Sequence, residues 1–298
     1  MLRLLIAGLV LALCCAAEPS GVPSFSASGI DDAMDLHGDL HNARLVLFVG
    51  GNEWMAMPAI VDAFVRQHPD AAPVYYETLP PGILADQLAA GSLRVGALTI
   101  SVPADVFMSG KRRMAEVVRT HLVREPSTFA TNVLAILVHR GNPKRVTGMM
   151  DLGRSDVRVA MPNPVYEAVA RQIELALRKA GGSRLVYAVM VTKVHDGTTL
   201  LTQIHHRQTP LWVARRRVDA GPLWLTEGLY QARLGAPVTT IRIPPEFNET
   251  ATYQAAVTTH ARHARLAGEF VRFLESPQAR AIFRSYGFGS ASGSPKEE

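Results

Sequence analysis

The run VRVAMPNPVYEAVARQIELALRKAGG, residues 157–182, shows the organisation of the whole chain in a short space. It begins with alternating Val, Ala and Met, turns on Pro162-Asn163-Pro164, and continues with apolar residues recurring every three to four positions. A strand, a turn and a helix follow one another. The same alternation extends outward. Toward the N-terminus, ARLVLFVG precedes NEWMAMPAIVDAFVRQH, APVYYET precedes PPGILADQLAAG, and ADVFMS precedes KRRMAEVVRTHL. NVLAILVH reads as the strand before the quoted run. Toward the C-terminus come VYAVMV and DAGPLWLT as strands, EGLYQARLG as a helix, the strand TYQAAVTTH, and the helical ARLAGEFVRFLESPQARAIFRSYGF. Strands alternating with helices predict an α/β fold of mostly parallel sheet with helices on both faces.

Two such series in 298 residues predict two lobes. The first comprises residues 44–128, completed by the returning segment 253–288; the second is 129–252. The chain then crosses twice, near 129–132 and 248–252, and these crossings would form a hinge. No internal repeat is visible.

The ends read differently from the body. Arg3, the apolar run from Leu4 to Leu13 and the small residues Cys15-Ala16-Ala17 make a secretory signal over residues 1–17, too short for a membrane span. Both cysteines, Cys14 and Cys15, lie inside it, so the mature chain offers neither a disulfide nor a thiolate. Lipid anchoring at one of them is the rival reading, although neither follows the small residue that lipoprotein signals favour. The Pro/Ser/Gly-rich leader, 18–43, and the tail, 289–298, read as flexible. Export would place the protein in the periplasm.

The formal charge of +5 falls to +4 without Arg3, and the basic residues are scattered. Only Lys111-Arg112-Arg113 and Arg215-Arg216-Arg217 form runs, each read as a solvated helix face, and no aromatic-interleaved basic stripe supports nucleic-acid binding. Enzyme motifs are missing: there is no GxSxG elbow, Walker loop, CxxC or HExxH. His260 and His263 share a helix face without an evident carboxylate. No cofactor is expected.

Ligands of open α/β sheets bind beyond the carboxyl ends of the strands, where helices begin. Asn52, Thr78, Asn163, Thr209 and Thr226 each stand where a strand gives way to a helix start and read as caps. The free N–H groups there suit an oxyanion. Beside Thr209-Pro210 stand His205, His206 and Arg207. The planar Arg207 fork suits carboxylate, phosphate or sulfate-like oxygens, and in an extended segment one of the two histidines faces the cleft. Met55 and Met57 keep a metal reading open, as thioether partners of a histidine for a soft ion.

In order and spacing, ADVFMS, NVLAILVHRGNPKRVTGMMDL, VRVAMPNP, RRVDAGPLW and AGEFVRFLESPQARAIFRSYGF resemble the bacterial extracellular solute-binding proteins of the molybdate-binding type. The resemblance spans residues 44–288. It implies a type 2 periplasmic-binding fold, a receptor closing on a small anion such as molybdate, tungstate or sulfate, an ABC permease as partner, and a monomer. A segment like His205-His206-Arg207-Gln208-Thr209-Pro210 recurs in the nearest subgroup. The resemblance places ligand loops at Gly50-Gly51-Asn52, Thr78 and Ser109, and a ligand-contacting aromatic at Trp224. The family's hydroxyl residues are replaced here by GGN and TLPPG, and its tyrosine by Trp224, which argues against molybdate itself. Glu77, beside the second loop, would oppose an anion unless a cation paired it. An accessory or sensor protein of the same fold is the alternative to a transport receptor.

Overall fold

The computed structural model describes residues 35–290 apart from 96–97, 166 and 204–207. The expected signal, most of the leader, the last eight residues of the tail, and His205, His206 and Arg207 lie outside the described residues. The first elements are β1 (Leu36–His37), β2 (Leu45–Val49), α1 (Met57–Gln67), β3 (Val74–Glu77), α2 (Pro81–Ala90), the hairpin strands β4 (Leu93–Val95) and β5 (Leu98–Ile100), β6 (Val106–Gly110) and α3 (Lys111–Arg119). Next come β7 (Ser127–His139), β8 (Val159–Met161), α4 (Val169–Tyr187), α5 (Lys193–His195), β9 (Thr199–Leu201), α6 (Gln208–Ala214), β10 (Ala220–Trp224), α7 (Leu225–Arg233) and β11 (Val238–Arg242). The last are β12 (Thr250–Val257), α8 (Ala264–Leu274), α9 (Pro277–Ser285) and β13 (Gly289–Ser290).

The fold is mixed α/β. Its main sheet has the order β1-β3-β2-β6-β12-β7-β10-β8-β9, with β11 and β13 also paired to β7. The expectation of mostly parallel sheet holds only for β3-β2-β6 and β10-β8-β9. Around β7 and β12 every pairing is antiparallel. The return path is the reason: β7 leaves the first group of strands and β12 re-enters it, so they run side by side in opposite directions.

Strand β7 serves both groups. Its first half pairs with β12, and residues from Leu134 onward pair with β10 and β11. Leu134 to Val138 are buried without alternation, as expected where helices cover both faces of a sheet. At the change of partners the Asn248 side chain accepts from the Leu134 N–H and donates to the Leu134 carbonyl, both at 2.9 Å.

The apolar face of each helix explains the packing. Helices α1, α8 and α9 bury Phe64, Phe270 and Phe283 on one face of the first group, while Leu84 of α2 and Met114 of α3 pack with Phe48 and Phe107 on the other. In the second group, Ile173 and Leu177 of α4 cover β8, and Trp212 and Val213 of α6 cover the opposite face. Burying such a side chain contributes about 1.5–3 kcal/mol before entropy is counted.

Three local expectations are corrected. VYAVMV is helical, because Leu185 and Val189, four residues apart, both enter the core, so the helical period prevails over β-branching. Residues 35–43, assigned to the flexible leader, include β1, which pairs with β3 and buries Leu36. Gly289 and Ser290, assigned to the tail, form β13 against Thr131 and Ala130.

Candidate functional site

Four helix starts open on one cleft. Pro80 precedes α2, Gly110 precedes α3, Ala168 precedes α4 and Trp224 precedes α7, and none of the four ends is closed by a side-chain cap. No side chain therefore takes their first N–H groups, with Gly82 the first donor of α2 because Pro81 has none, although in α4 the Ala170 N–H is taken by the Glu167 carbonyl. The cleft has two connected compartments. An outer chamber of about 510 Å³ is bounded by the starts of α2, α3 and α4 and by Thr250, Ala251 and Thr252 of β12. An inner pocket of about 80 Å³ lies between Trp224, Tyr253, Asn52 and Glu53.

The outer chamber carries Lys111, Arg112 and Arg113, the first three residues of α3, opposite Glu167, Ala168 and Gln172 of the α4 region. Arg112 and Arg113 both reach Glu116, at 2.9 and 2.6 Å, whereas among the described residues Lys111 has no ion-pair partner. Three cations at a helix start oppose the macrodipole, an arrangement costing roughly 0.3–1 kcal/mol per charge. An anion at the same place would relieve it. Asp86 and Glu167 supply the acidic side of the lining.

The inner pocket rests on a buried polar network. The Asn52 carbonyl oxygen accepts from the Asn132 amide at 2.8 Å and the Tyr253 hydroxyl at 2.5 Å, while its own amide donates to Glu227 at 3.3 Å. Asn132 also donates to the Thr226 hydroxyl at 2.9 Å. These five residues come from both strand groups and from β7 and β12 themselves, so the network joins the two groups where the chain passes between them. Burial, then the neighbouring Glu53, pushes the Tyr253 hydroxyl well above its ordinary range, and it stays a neutral donor.

The residues expected from sequence are distributed unevenly. Asn52 and Trp224 line the inner pocket. Thr78, Ser109 and Asn163 are buried close by but line neither compartment; only their neighbours Pro80, Gly110 and Pro164 do. The capping roles are corrected throughout. Asn52 lies in a short 3₁₀ turn, with α1 beginning only at Met57. The Thr78 hydroxyl donates to Asp35 at 3.1 Å and meets the His37 ring, whose pKa burial lowers to about 4. Asn163 accepts from the Val165 N–H and so closes a turn ahead of α4. Thr209 and Thr226 sit within α6 and α7, and Thr209 packs on Gly221, where a Cβ would come within 2.5 Å of its methyl group.

Glu77 does not face the cleft. It is fully buried, accepting from the Tyr75 hydroxyl at 2.9 Å and the Gln87 amide at 3.1 Å. Met55 and Met57 are buried too, Met57 within the first core, and among the described residues no group of three or more His, Cys, Asp or Glu could hold a metal ion.

Sequence reasoning missed Lys111, Arg112 and Arg113 as cleft residues, although a basic run at the wrong end of a helix, directly after a strand, is a legible signal. It also missed Tyr253, Glu53 and Glu167, which nothing in their local pattern distinguishes.

A family model described as bacterial extracellular solute-binding protein matches residues 45–289. Members of that family bind solutes and are not enzymes. Among curated proteins, the molybdate-binding protein ModA of Mycobacterium tuberculosis (strain H37Rv) is 26% identical over 211 residues, covering 70% of this chain and 74% of that protein. Among solved structures, the sulfate-binding protein SubI from Mycobacterium tuberculosis H37Rv aligns with a TM-score of 0.68 at 20% identity, covering 85% of this chain and 88% of the other. The periplasmic molybdate-binding protein of Azotobacter vinelandii aligns with a TM-score of 0.65 at 18% identity, covering 82% and 98%. At these identities the solved structures share the fold.

Proposed function

The chain belongs to the bacterial extracellular solute-binding proteins, and from that membership we propose that it is a periplasmic receptor that captures a small oxyanion or anionic solute and delivers it to an ABC importer. One observation carries the reading: the uncapped starts of α2, α3 and α4 converge on a chamber that also holds Lys111, Arg112 and Arg113. Helix N-termini and cations both favour negative charge. The similarity to a molybdate-binding and a sulfate-binding protein supports the same class.

In this reading residues 44–128 with 253–288 form one lobe and 129–252 the other. The separate cores and the passage of β7 and β12 between strand groups support that division. Closure about residues 129–132 and 248–252 would bring the α4 start toward those of α2 and α3 and exclude water. Asn52, Thr78, Ser109, Asn163, Thr209, Trp224 and Thr226 would then surround or support the ligand, and His205, His206 and Arg207 would add positive charge. Residues 1–17 would direct export, and a membrane permease would be the partner.

The test is native mass spectrometry of the mature protein as purified, followed by thermal-shift titration with molybdate, tungstate, sulfate, phosphate, small carboxylates and divalent metals. An anion at about 100 times its dissociation constant adds about 2.7 kcal/mol of stability. Stabilisation by divalent metals alone would overturn the anion reading.

A further inference from the structure

The two compartments of the cleft differ in chemistry. Helix starts border both, but the cations Lys111, Arg112 and Arg113 border only the outer chamber, whereas the inner pocket is walled by the Trp224 and Tyr253 rings, set edge to face at 6.4 Å between centroids, with Val169 and Ala251 beside them. Side-chain donors are scarce inside. The Tyr253 hydroxyl donates to Asn52 and one Asn52 amide N–H to Glu227, and the other polar side chains of the lining include the acidic Glu53 and Glu167, whose carboxylates only accept when ionised. A tetraoxyanion presents acceptors on every side and so gains little from these side chains, on the faces turned away from the helix starts. Where the compartments meet stands Gln172, whose buried amide oxygen has no partner among the described residues.

Size points the same way. The outer chamber alone is within the range of about 300–1,000 Å³ found for pockets that hold organic ligands. Closure would narrow it, but the inner pocket is built on Ala251 and Tyr253 of β12, one of the two strands on which the lobes would turn, and positions near a turning axis move least.

Resting on the anion-receptor reading, we propose that the ligand is an organic anion: a carboxylate, phosphonate, phosphate ester or sulfonate bearing a small ring or short hydrocarbon. Its charged head lies at the starts of α2 and α3 beside Lys111, and its apolar part enters the inner pocket against the Trp224 and Tyr253 rings. Gln172 serves a polar substituent at the junction.

Calorimetric titration of the mature protein with matched probes tests this: acetate against benzoate, methylphosphonate against phenylphosphonate, and the inorganic anions phosphate, sulfate and molybdate. The ring-bearing member of each pair should bind at least about tenfold more tightly, a difference of about 1.4 kcal/mol. Ala168→Leu should cut that advantage to threefold or less, because Ala168 borders both compartments and its exposure lets the larger side chain be accommodated without disturbing a core. Ala251→Leu, inside the pocket, should do the same. Tight binding of sulfate or molybdate with no gain from a ring overturns the inference and leaves the anion receptor standing. A ring advantage untouched by both substitutions also overturns it, since the ring would then bind elsewhere. Failure of every anion to bind overturns the receptor reading as well.

Discussion

Glu77→Gln should make the protein more stable at pH 8 and leave it almost unchanged near pH 4.5. Glu77 is fully buried at the end of β3, with both hydrogen bonds, from Tyr75 and Gln87, on one carboxylate oxygen. Its other oxygen has no partner among the described residues, and neither has the side-chain oxygen of Gln87. Two partnerless acceptors in adjoining side chains are what a missing proton leaves behind: a protonated Glu77 could donate to Gln87 while accepting from it. Burial raises the Glu77 pKa from an ordinary 4.5 to about 7, outweighing the two hydrogen bonds that lower it. The gap corresponds to about 3 kcal/mol in favour of the protonated form. The sign follows from the raised value. Between pH 4.5 and 7 the folded protein holds a proton that the unfolded chain has released, so stability falls as pH rises across that window and changes no further above it. Glutamine keeps the shape, brings its own donor and does not titrate, so its advantage should grow from near zero at pH 4.5 to about 3 kcal/mol at pH 8. Urea denaturation of both proteins at several pH values, followed by fluorescence and circular dichroism to check that the transitions coincide, measures the difference. A difference independent of pH would show that Glu77 does not titrate with folding in this range. A variant less stable at pH 8 would show that the site is built for the carboxylate.

Asn132→Ala removes donors to Asn52 and Thr226 and the acceptor of the Val133 N–H; the expected loss is about 2–4 kcal/mol, read in the same denaturation assay, and a loss below about 0.5 kcal/mol would mean the network rearranges freely. Lys111→Glu reverses the one cation of the α3 start that has no ion-pair partner among the described residues. It should weaken anion binding at least about tenfold and reduce the salt dependence of affinity, and unchanged titrations would remove the basic cluster from the site. Arg207→Ala is expected to cost about 1.5–3 kcal/mol of ligand binding if its guanidinium makes a charge-assisted hydrogen bond; calorimetry showing equal affinity would assign it another role. If His205 or His206 helps hold the anion, affinity for a ligand of constant charge falls between about pH 5 and 8, around the reference histidine value near 6.5, and flattens in the His205→Gln, His206→Gln double variant. Affinity that rises with pH and loses its rise in that variant would instead favour a metal.

The legible parts of the sequence were those where one physical requirement dominates. Leu134 to Val138 read as a strand because a segment covered on both faces must be apolar throughout, and α4 read as a helix because its buried positions recur at the helical period. Direction was harder: the pattern of β12 is the same for either orientation, so its antiparallel pairing with β6 and β7 depends on a return path that no local pattern encodes. Caps failed for a related reason. Asn52 and Thr226 are good capping residues, but they lie where β7 and β12 bring distant polar groups together, and Asn132, Tyr253 and Glu227 offered their side chains partners that local sequence could not foresee. Lys111-Arg112-Arg113 is the opposite case, because its oddity is local. A solvated helix face needs no particular charge order, whereas three cations at the positive end of a helix go against the backbone's own field. Charge placed against a dipole therefore says more about a binding site than a residue that merely suits its position, because it depends on the order of the residues in the chain as much as on the cleft they border.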